Sequence, residues 1–350
     1  MYVEENKPLA AYTTFGIGGP ARWFAEARSE EDIVAATAWA HEHRVPLFVL
    51  GGGSNLLVAD RGFYGLVLHI VLKGIERMRE GPEQIYRVAA GEDWDSFAQR
   101  SVADDCAGLE CLAGIPGTVG GTPVQNVGAY GQEVACCIER VRAYDLHERC
   151  FVELSADECG FAYRRSRFNT RDRGRYVVTR VDYRLSPGGA PSLRYADLQR
   201  EFDDRPAPGL ADVAQTVRRI RRSKGMLLVE GDPDCRSAGS FFKNPVVSRE
   251  VLQQIRESAA VEPPTFPAGQ DAGSAFVKVP AAWLIEQAGF AKGFVQGHAG
   301  ISSRHTLALI NRGGARAAEI LALASEIAST VEARFGIQLE KEPILLGFEP

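Results

Sequence analysis

The stretch from Gly114 to Gly131, Gly114-Ile115-Pro116-Gly117-Thr118-Val119-Gly120-Gly121-Thr122-Pro123-Val124-Gln125-Asn126-Val127-Gly128-Ala129-Tyr130-Gly131, constrains this chain more than any other. Its six glycines and two prolines argue against a packed helix or strand. Glycine permits positive φ and lets backbone N–H groups approach a ligand closely, so such a run reads as a loop that holds an anion or a cofactor. A second glycine loop, Leu50-Gly51-Gly52-Gly53-Ser54-Asn55-Leu56-Leu57, leaves the apolar run Val45-Pro46-Leu47-Phe48-Val49. Two such loops suit one extended cofactor with a diphosphate at its middle, although each alone also fits a tight turn.

At 350 residues the chain is long enough for about two domains, or three small ones. A hydrophobic content of 45% beside 24% charged residues is that of a globular protein, not of a disordered or fibrous one. The net charge of −5 offers no basic footprint for nucleic acid, which leaves small molecules as the expected partners. The N-terminus has no apolar signal core and no long apolar run follows, so the expected location is the cytoplasm, without a membrane. Seven cysteines without C-x-x-C spacing predict reduced, mostly buried thiols. His41 and His43 flank Glu42, but no H-E-x-x-H motif or third ligand accompanies them, and no metal is expected.

Ser29-Glu30-Glu31-Asp32 predicts a helix start, with Ile33, Val34, Ala36 and Ala40 as its apolar stripe before a strand at 45–50. Short β-rich runs follow at 66–68, 70–72 and 85–88, a helix at 94–105, and further strands at 138–146 and 176–185. A polar turn region at 230–234 marks a boundary or long loop. Beyond it, helices are expected at 248–258, at 280–288 closed by Gly289, and at 315–335 closed by Gly336. In the last, Ile320, Leu323, Ile327, Val331 and Phe335 form one core-facing stripe.

Gly16-Ile17-Gly18-Gly19-Pro20-Ala21 matches G-x-G-x-x-A, but Arg22-Trp23-Phe24-Ala25-Glu26 does not open a helix, so the dinucleotide fingerprint is rejected. The Gly51 loop lacks a third glycine and has the wrong element order, and no Walker A sequence exists.

The remaining motifs are Phe161-Ala162-Tyr163-Arg164-Arg165-Ser166-Arg167-Phe168, Ala238-Gly239-Ser240-Phe241-Phe242-Lys243-Asn244-Pro245 and Leu339-Glu340-Lys341-Glu342. Together with Tyr12-Phe15 and the two glycine loops, they resemble the UDP-N-acetylenolpyruvoylglucosamine reductases, flavoenzymes of peptidoglycan precursor synthesis. The resemblance runs in order from Tyr12 to Glu342, and Leu193-Arg194-Tyr195-Ala196-Asp197-Leu198 looks like the tyrosine loop of the longer, type I form.

The resemblance implies an α+β protein: an FAD-binding two-domain unit of the vanillyl-alcohol-oxidase type plus a C-terminal α/β substrate-binding domain. The expected parts are 1–70 with 340–350 returning to it, 71–223, and 224–339. It further implies non-covalent FAD, NADPH as co-substrate, UDP-N-acetylglucosamine enolpyruvate as substrate, and a monomer. NADPH and substrate would use one pocket in turn.

By motif, the implied catalytic residues are Arg164, Ser240 and Glu342. Hydride addition to an alkene carbon builds negative charge on the neighbouring carbon and carboxylate, which suits a bidentate guanidinium such as Arg164, with Glu342 assisting. The new carbanion then needs a placed proton donor, the family role of Ser240. Taken singly, these residue types are ordinarily a solvated charge, a turn serine and an exposed glutamate.

Implied cofactor contacts are Tyr12, Thr14, Gly51, Gly52, Gly53, Ser54, Asn55, Leu56, Gly114, Ile115, Pro116, Gly117, Gly120, Gly121, Asn126, Gly128 and Ala129. Implied substrate contacts are Tyr130, Tyr195, Lys224, Asn244 and Gln287. The arginines of Arg218-Arg219-Ile220-Arg221-Arg222 before Lys224 equally fit a helix C-terminus complementing its dipole. Pro343-Ile344 stands where members of the family commonly place Val-Arg, and the link from Lys224 to Ser240 is long. The rival readings are a flavin-dependent oxidase with the same cofactor fold and a catalytically silent nucleotide-sugar or flavin binder.

Overall fold

The computed structural model describes residues 1–203, 206–259, 261–268 and 275–348. The chain forms two compact units: Met1–Lys7 with Ala21–Gly53 and Tyr64–Arg222, and Pro8–Pro20 with Ser54–Phe63 and Ser223–Pro350.

Among the described residues the first unit holds two large sheets and one two-stranded ribbon. One orders the strands Glu4–Pro8, Pro20–Ala27, Phe63–Ile70 and Leu47–Leu50, the last two paired in parallel with Leu47 opposite Leu66. The short runs expected at 66–68 and 70–72 are thus largely one strand. The helix Glu30–Glu42 precedes Leu47–Leu50, and the Ser29 hydroxyl caps it by accepting from Asp32 N at 3.2 Å. Ile33, Ala36 and Ala40 are buried, whereas Val34 is exposed: it sits one residue, about 100°, off their stripe. The segment Gly16–Ala21 runs into the strand Pro20–Ala27, not into a helix.

The second sheet of this unit is antiparallel, ordered Cys150–Ser155, Ile138–Asp145, Tyr176–Pro187, Glu83–Ala89 and Ile75–Glu80. The helix Trp94–Ala103 belongs to the same core, where Tyr86, Trp94, Phe97 and Tyr183 are sealed from solvent. Burial of each such side chain contributes about 1.5–3 kcal/mol. Phe97 meets Tyr183 with ring centroids 5.1 Å apart. The Tyr183 hydroxyl shares a 2.7 Å hydrogen bond with Thr122, anchoring the glycine-rich run to the central strand.

The second unit is built around the helix Ala317–Phe335, whose Ile320, Leu323, Ile327, Val331 and Phe335 all face the core as the spacing predicts. Gly336, in the left-handed conformation at φ 68°, ends it. The helices expected at 248–258 and 280–288 are Arg249–Ser258 and Ala281–Gln287. Val295–Gln296, Ala299–Ile301 and Leu309–Asn311 form an antiparallel sheet. Leu56–Val58 pairs in parallel with Ile344–Leu346, so the C-terminus closes on the segment that follows the first glycine loop.

Among the described residues no helix is long and apolar enough to cross a membrane, and no cluster of His, Cys, Asp or Glu could hold a metal ion. All seven cysteines are free thiols; Cys136 and Cys150 are exposed and the other five buried.

Candidate active site

In the first unit the two glycine loops meet. A Cβ on Gly52 would fall 2.6 Å from Gly117 Cα, so glycine is required where these backbones touch, and one on Gly51 would fall 2.7 Å from the Thr118 hydroxyl oxygen. Gly53 has φ 60°. Between them the loops form a cradle of main chain.

Two devices hold the second loop. Gly114 donates its N–H to Asp95 Oδ1 at 2.6 Å, and its carbonyl accepts from Arg221 Nε at 2.9 Å. Asp95 lies in the first turn of Trp94–Ala103 and also pairs with Arg218. Ile115, Pro116 and Gly117 are half-buried, and Gly117 O accepts from Trp94 N at 3.1 Å. Gly120 is packed against Ala90, where a Cβ would come within 2.6 Å of the alanine Cβ, whereas nothing lies near Gly121. Of these two expected contacts, only Gly121 faces open space.

Gly128–Ala129 pairs with Gln132–Glu133 across a two-residue turn, with Tyr130 at φ 50° and Gly131 at φ 79°. Positive φ at both central positions is the hairpin geometry whose twist suits the flanking strands, and it turns Tyr130 inward. Its phenol, pushed up to about 12 by burial, is hydrogen-bonded to Arg221, whose charge acts the other way. Tyr195 meets Tyr130 edge to face, ring centroids 5.3 Å apart. Tyr195 is the N-cap residue of the helix Ala196–Phe202 and stays exposed.

Arg164 occupies a two-residue turn closed by reciprocal backbone hydrogen bonds between Ala162 and Arg165. It sits at φ 55°, a conformation in which an L side chain is strained. Its guanidinium lies over the Tyr163 ring at 5.5 Å, and a Cβ on Gly128 would fall 3.5 Å from its Nη1. Asn126 is buried, with its carboxamide engaged by Glu133, Ala162 and Ala135.

In the second unit, the backbone brings Ser240 and Glu342 onto adjacent segments. Glu342 N donates to Phe241 O at 2.9 Å, Lys243 N donates to Glu340 O at 2.9 Å, and Phe242 bridges Lys341. Gly239, at φ 72°, turns the chain just before Ser240. Asn55 Nδ2 donates to Glu342 O at 3.3 Å, and Asn55 O accepts from Ile344 N at 3.0 Å. An expected cofactor contact thus also holds the expected catalytic glutamate. Pro343 is buried and Ile344 begins the strand that pairs with Leu56.

Thr14 Oγ1 donates to Ser237 O at 2.6 Å and reaches Ser54 O at 3.5 Å; Tyr12 ends the 3-10 turn Ala10–Tyr12. Asn244 Oδ1 accepts from Ala281 N at 2.9 Å, capping the helix Ala281–Gln287 in the absence of a capping side chain at Pro280. Gln287 ends that helix, and its carbonyl accepts from Arg334. Lys224 directly follows the helix Leu210–Ser223. With Lys292 it opposes protonation of His305, an imidazole that burial has already pushed down to about 4. His305 Nδ1 accepts from Leu307 N at 3.0 Å, so the neutral ring carries its proton on Nε2.

Sequence reasoning did not single out Arg221, Asp95, Lys292 or His305. For Arg221 a signal exists: Leu210, Val213, Ala214 and Val217 are buried at helical spacing, and Arg221 continues their stripe. An arginine on an apolar stripe is a buried cation with a structural or chemical task.

A cradle in which Gly52 packs its backbone against that of Gly117, leaving no room for a Cβ, fits the diphosphate of an extended cofactor. Residues 21–147 match the family described as FAD binding domain. Fold and site therefore define an FAD-binding oxidoreductase. Residues 232–346 match the family described as UDP-N-acetylenolpyruvoylglucosamine reductase, C-terminal domain. The UDP-N-acetylenolpyruvoylglucosamine reductase of Thermobifida fusca is 46% identical, over 98% of this chain and 97% of its own. That of Streptomyces coelicolor is 46% identical, over 98% of this chain and 90% of its own. A solved structure of the Thermus caldophilus reductase is 28% identical, with a TM-score of 0.67 over 99% of both chains. The chain belongs to the UDP-N-acetylenolpyruvoylglucosamine reductase family.

Proposed function

We propose that this protein reduces UDP-N-acetylglucosamine enolpyruvate to UDP-N-acetylmuramate at the expense of NADPH, as a cytoplasmic monomer in peptidoglycan precursor synthesis. FAD, held without a covalent bond, supplies hydride-transfer chemistry when bound. Gly51, Gly52, Gly53, Gly114, Gly117 and Gly121 would hold it through main chain. The two large sheets of the first unit support two flavin-binding subdomains, 1–70 and 71–223, and 224–339 is the substrate-binding part. The last residues of the returning segment 340–350, 349 and 350, lie outside the described residues.

The protein's own groups divide the work. Arg164 binds the enolpyruvyl carboxylate, and its fixed charge favours the negative charge that develops there. Ser240 holds the proton that saturates the second alkene carbon, and Glu342 assists from the neighbouring segment. Tyr130, Tyr195 and Asn244 suit the nucleotide sugar, and Lys224 suits its diphosphate. NADPH and substrate occupy one pocket in turn.

The observation that carries this reading is the hydrogen bond from Glu342 N to Phe241 O, which sets Ser240 and Glu342 side by side although they are distant in sequence. Sequential addition tests it. Purified protein should show a flavin absorbance that NADPH bleaches and the enolpyruvyl substrate restores under anaerobic conditions. Bleached protein that recolours rapidly in air and ignores the substrate would make it an oxidase instead.

A further inference from the structure

The turn that presents Arg164 is held by two carboxamides, one at the Ala162 carbonyl and one at the Arg164 carbonyl. Asn126, 1% exposed, donates from Nδ2 to Ala162 O at 3.0 Å and to Glu133 Oε2 at 2.8 Å, while its Oδ1 accepts from Ala135 N at 3.1 Å. Asn169 donates from Nδ2 to Arg164 O at 3.1 Å, and its Oδ1 accepts from Ser166 N at 2.9 Å. Ser166 Oγ donates to Val124 O at 2.6 Å, tying the far end of the turn to the glycine-rich run.

A non-glycine residue at φ 55° persists only where its surroundings over-determine it, and the cost is about 1–3 kcal/mol. Glycine or asparagine would occupy that turn position without such strain. An arginine there implies that the direction of the guanidinium matters more than the ease of the turn.

We propose that Asn126 and Asn169 are positioning residues for Arg164, fixing its left-handed turn so that the guanidinium is set over Gly128 before substrate arrives. The inference rests on the proposed role of Arg164 at the substrate carboxylate. It also gives the Asn126 side chain a task other than contact with the cofactor, since both ends of its carboxamide are engaged by protein. Asn126 itself is at φ 46°, which asparagine tolerates well.

The test uses the FAD-loaded enzyme with Asn126→Gly, Asn169→Ala, Arg164→Ala and the two double variants. Glycine at 126 keeps the positive φ without strain, and Asn169→Ala provides a second route should the first fail to fold. Each asparagine variant should lower kcat for the enolpyruvyl substrate about ten- to hundred-fold, since small misplacements of a reacting group cost that much. The flavin dissociation constant should stay within about twofold, and the NADPH-driven step should keep its rate. In the Arg164→Ala background the same substitutions should change kcat by less than about threefold, because the group they position is gone. Full additivity in that background, or a loss of flavin affinity that matches the loss of kcat, would overturn the proposal. Unchanged turnover in Arg164→Ala alone would overturn the role of Arg164 as well, and that variant reports it separately.

Discussion

Glu342 donates its backbone N–H to the carbonyl of Phe241 at 2.9 Å, which places the carboxylate-bearing residue beside the one that follows Ser240. The two segments cannot slip past one another without breaking that bond and the one from Lys243 N to Glu340 O, so the backbones that carry Ser240 and Glu342 stay in register.

Ser240→Ala should leave flavin reduction by NADPH close to its original rate, because that step creates no carbanion in the substrate. Reoxidation by the enolpyruvyl substrate should slow by at least about a hundred-fold, the usual contribution of a placed acid. Stopped-flow absorbance separates the two steps, and equal slowing of both would assign Ser240 a structural role.

Gly52→Ala should cost about 1–3 kcal/mol in stability or flavin binding, because its Cβ would collide with Gly117 Cα at 2.6 Å and backbone cannot yield as a side chain does. Fluorescence titration of apoprotein with FAD measures it. Gly121→Ala, with no protein atom near its Cβ, should leave the stability of the apoprotein close to the original, as urea unfolding would show.

The glycine loops contain no cysteine or histidine, the usual points of covalent attachment to a flavin, so the cofactor is expected to be held without a covalent bond. Acid precipitation should release all of the yellow chromophore into the supernatant. Colour that stays with the pellet would contradict the prediction.

Asp60 accepts from Ala317 N at 2.8 Å and Ala318 N at 3.1 Å, and so serves as a cap for the helix Ala317–Phe335 from a remote segment. Asp60→Ala should lower stability by about 1–2 kcal/mol, because two N–H groups and the positive end of the helix dipole lose their acceptor. Urea unfolding would register it as a lower midpoint at constant slope.

His305 is held well below the ordinary histidine range, so between roughly pH 6.5 and 4 the unfolded chain binds a proton that the folded chain refuses. Stability therefore falls as the pH drops through that window and is fully retained above it. His305→Asn, which keeps an acceptor for Leu307 N, should remove on the order of 2 kcal/mol of this acid sensitivity. Thermal unfolding from pH 7 to 4.5 compares the slopes.

Much of the site could be read from residues whose meaning is local. Glycine at 51–53, 114, 117 and 131 declares a loop by itself, Ser29 and Gly336 mark a helix start and a helix end, and the three- and four-residue spacing of Ile320 to Phe335 announces a buried face. These signals survive because φ preference, capping and periodicity act within a few residues.

Pairings between distant segments were decided by tertiary structure. The two glycine loops meet at Gly52 and Gly117 while Asp95 and Arg221 grip Gly114, and no local rule ties Asp95 or Arg221 to a glycine in another segment. In sequence Arg221 fits a helix C-terminus complementing its dipole, and packing places it on the buried stripe of that helix. Asn55, Asn126 and Asn244 were expected at ligands, yet each also braces protein: the Glu342 carbonyl, the Arg164 turn and a helix N-terminus. A carboxamide can serve either end, and only the three-dimensional neighbours determine which hydrogen bonds it makes.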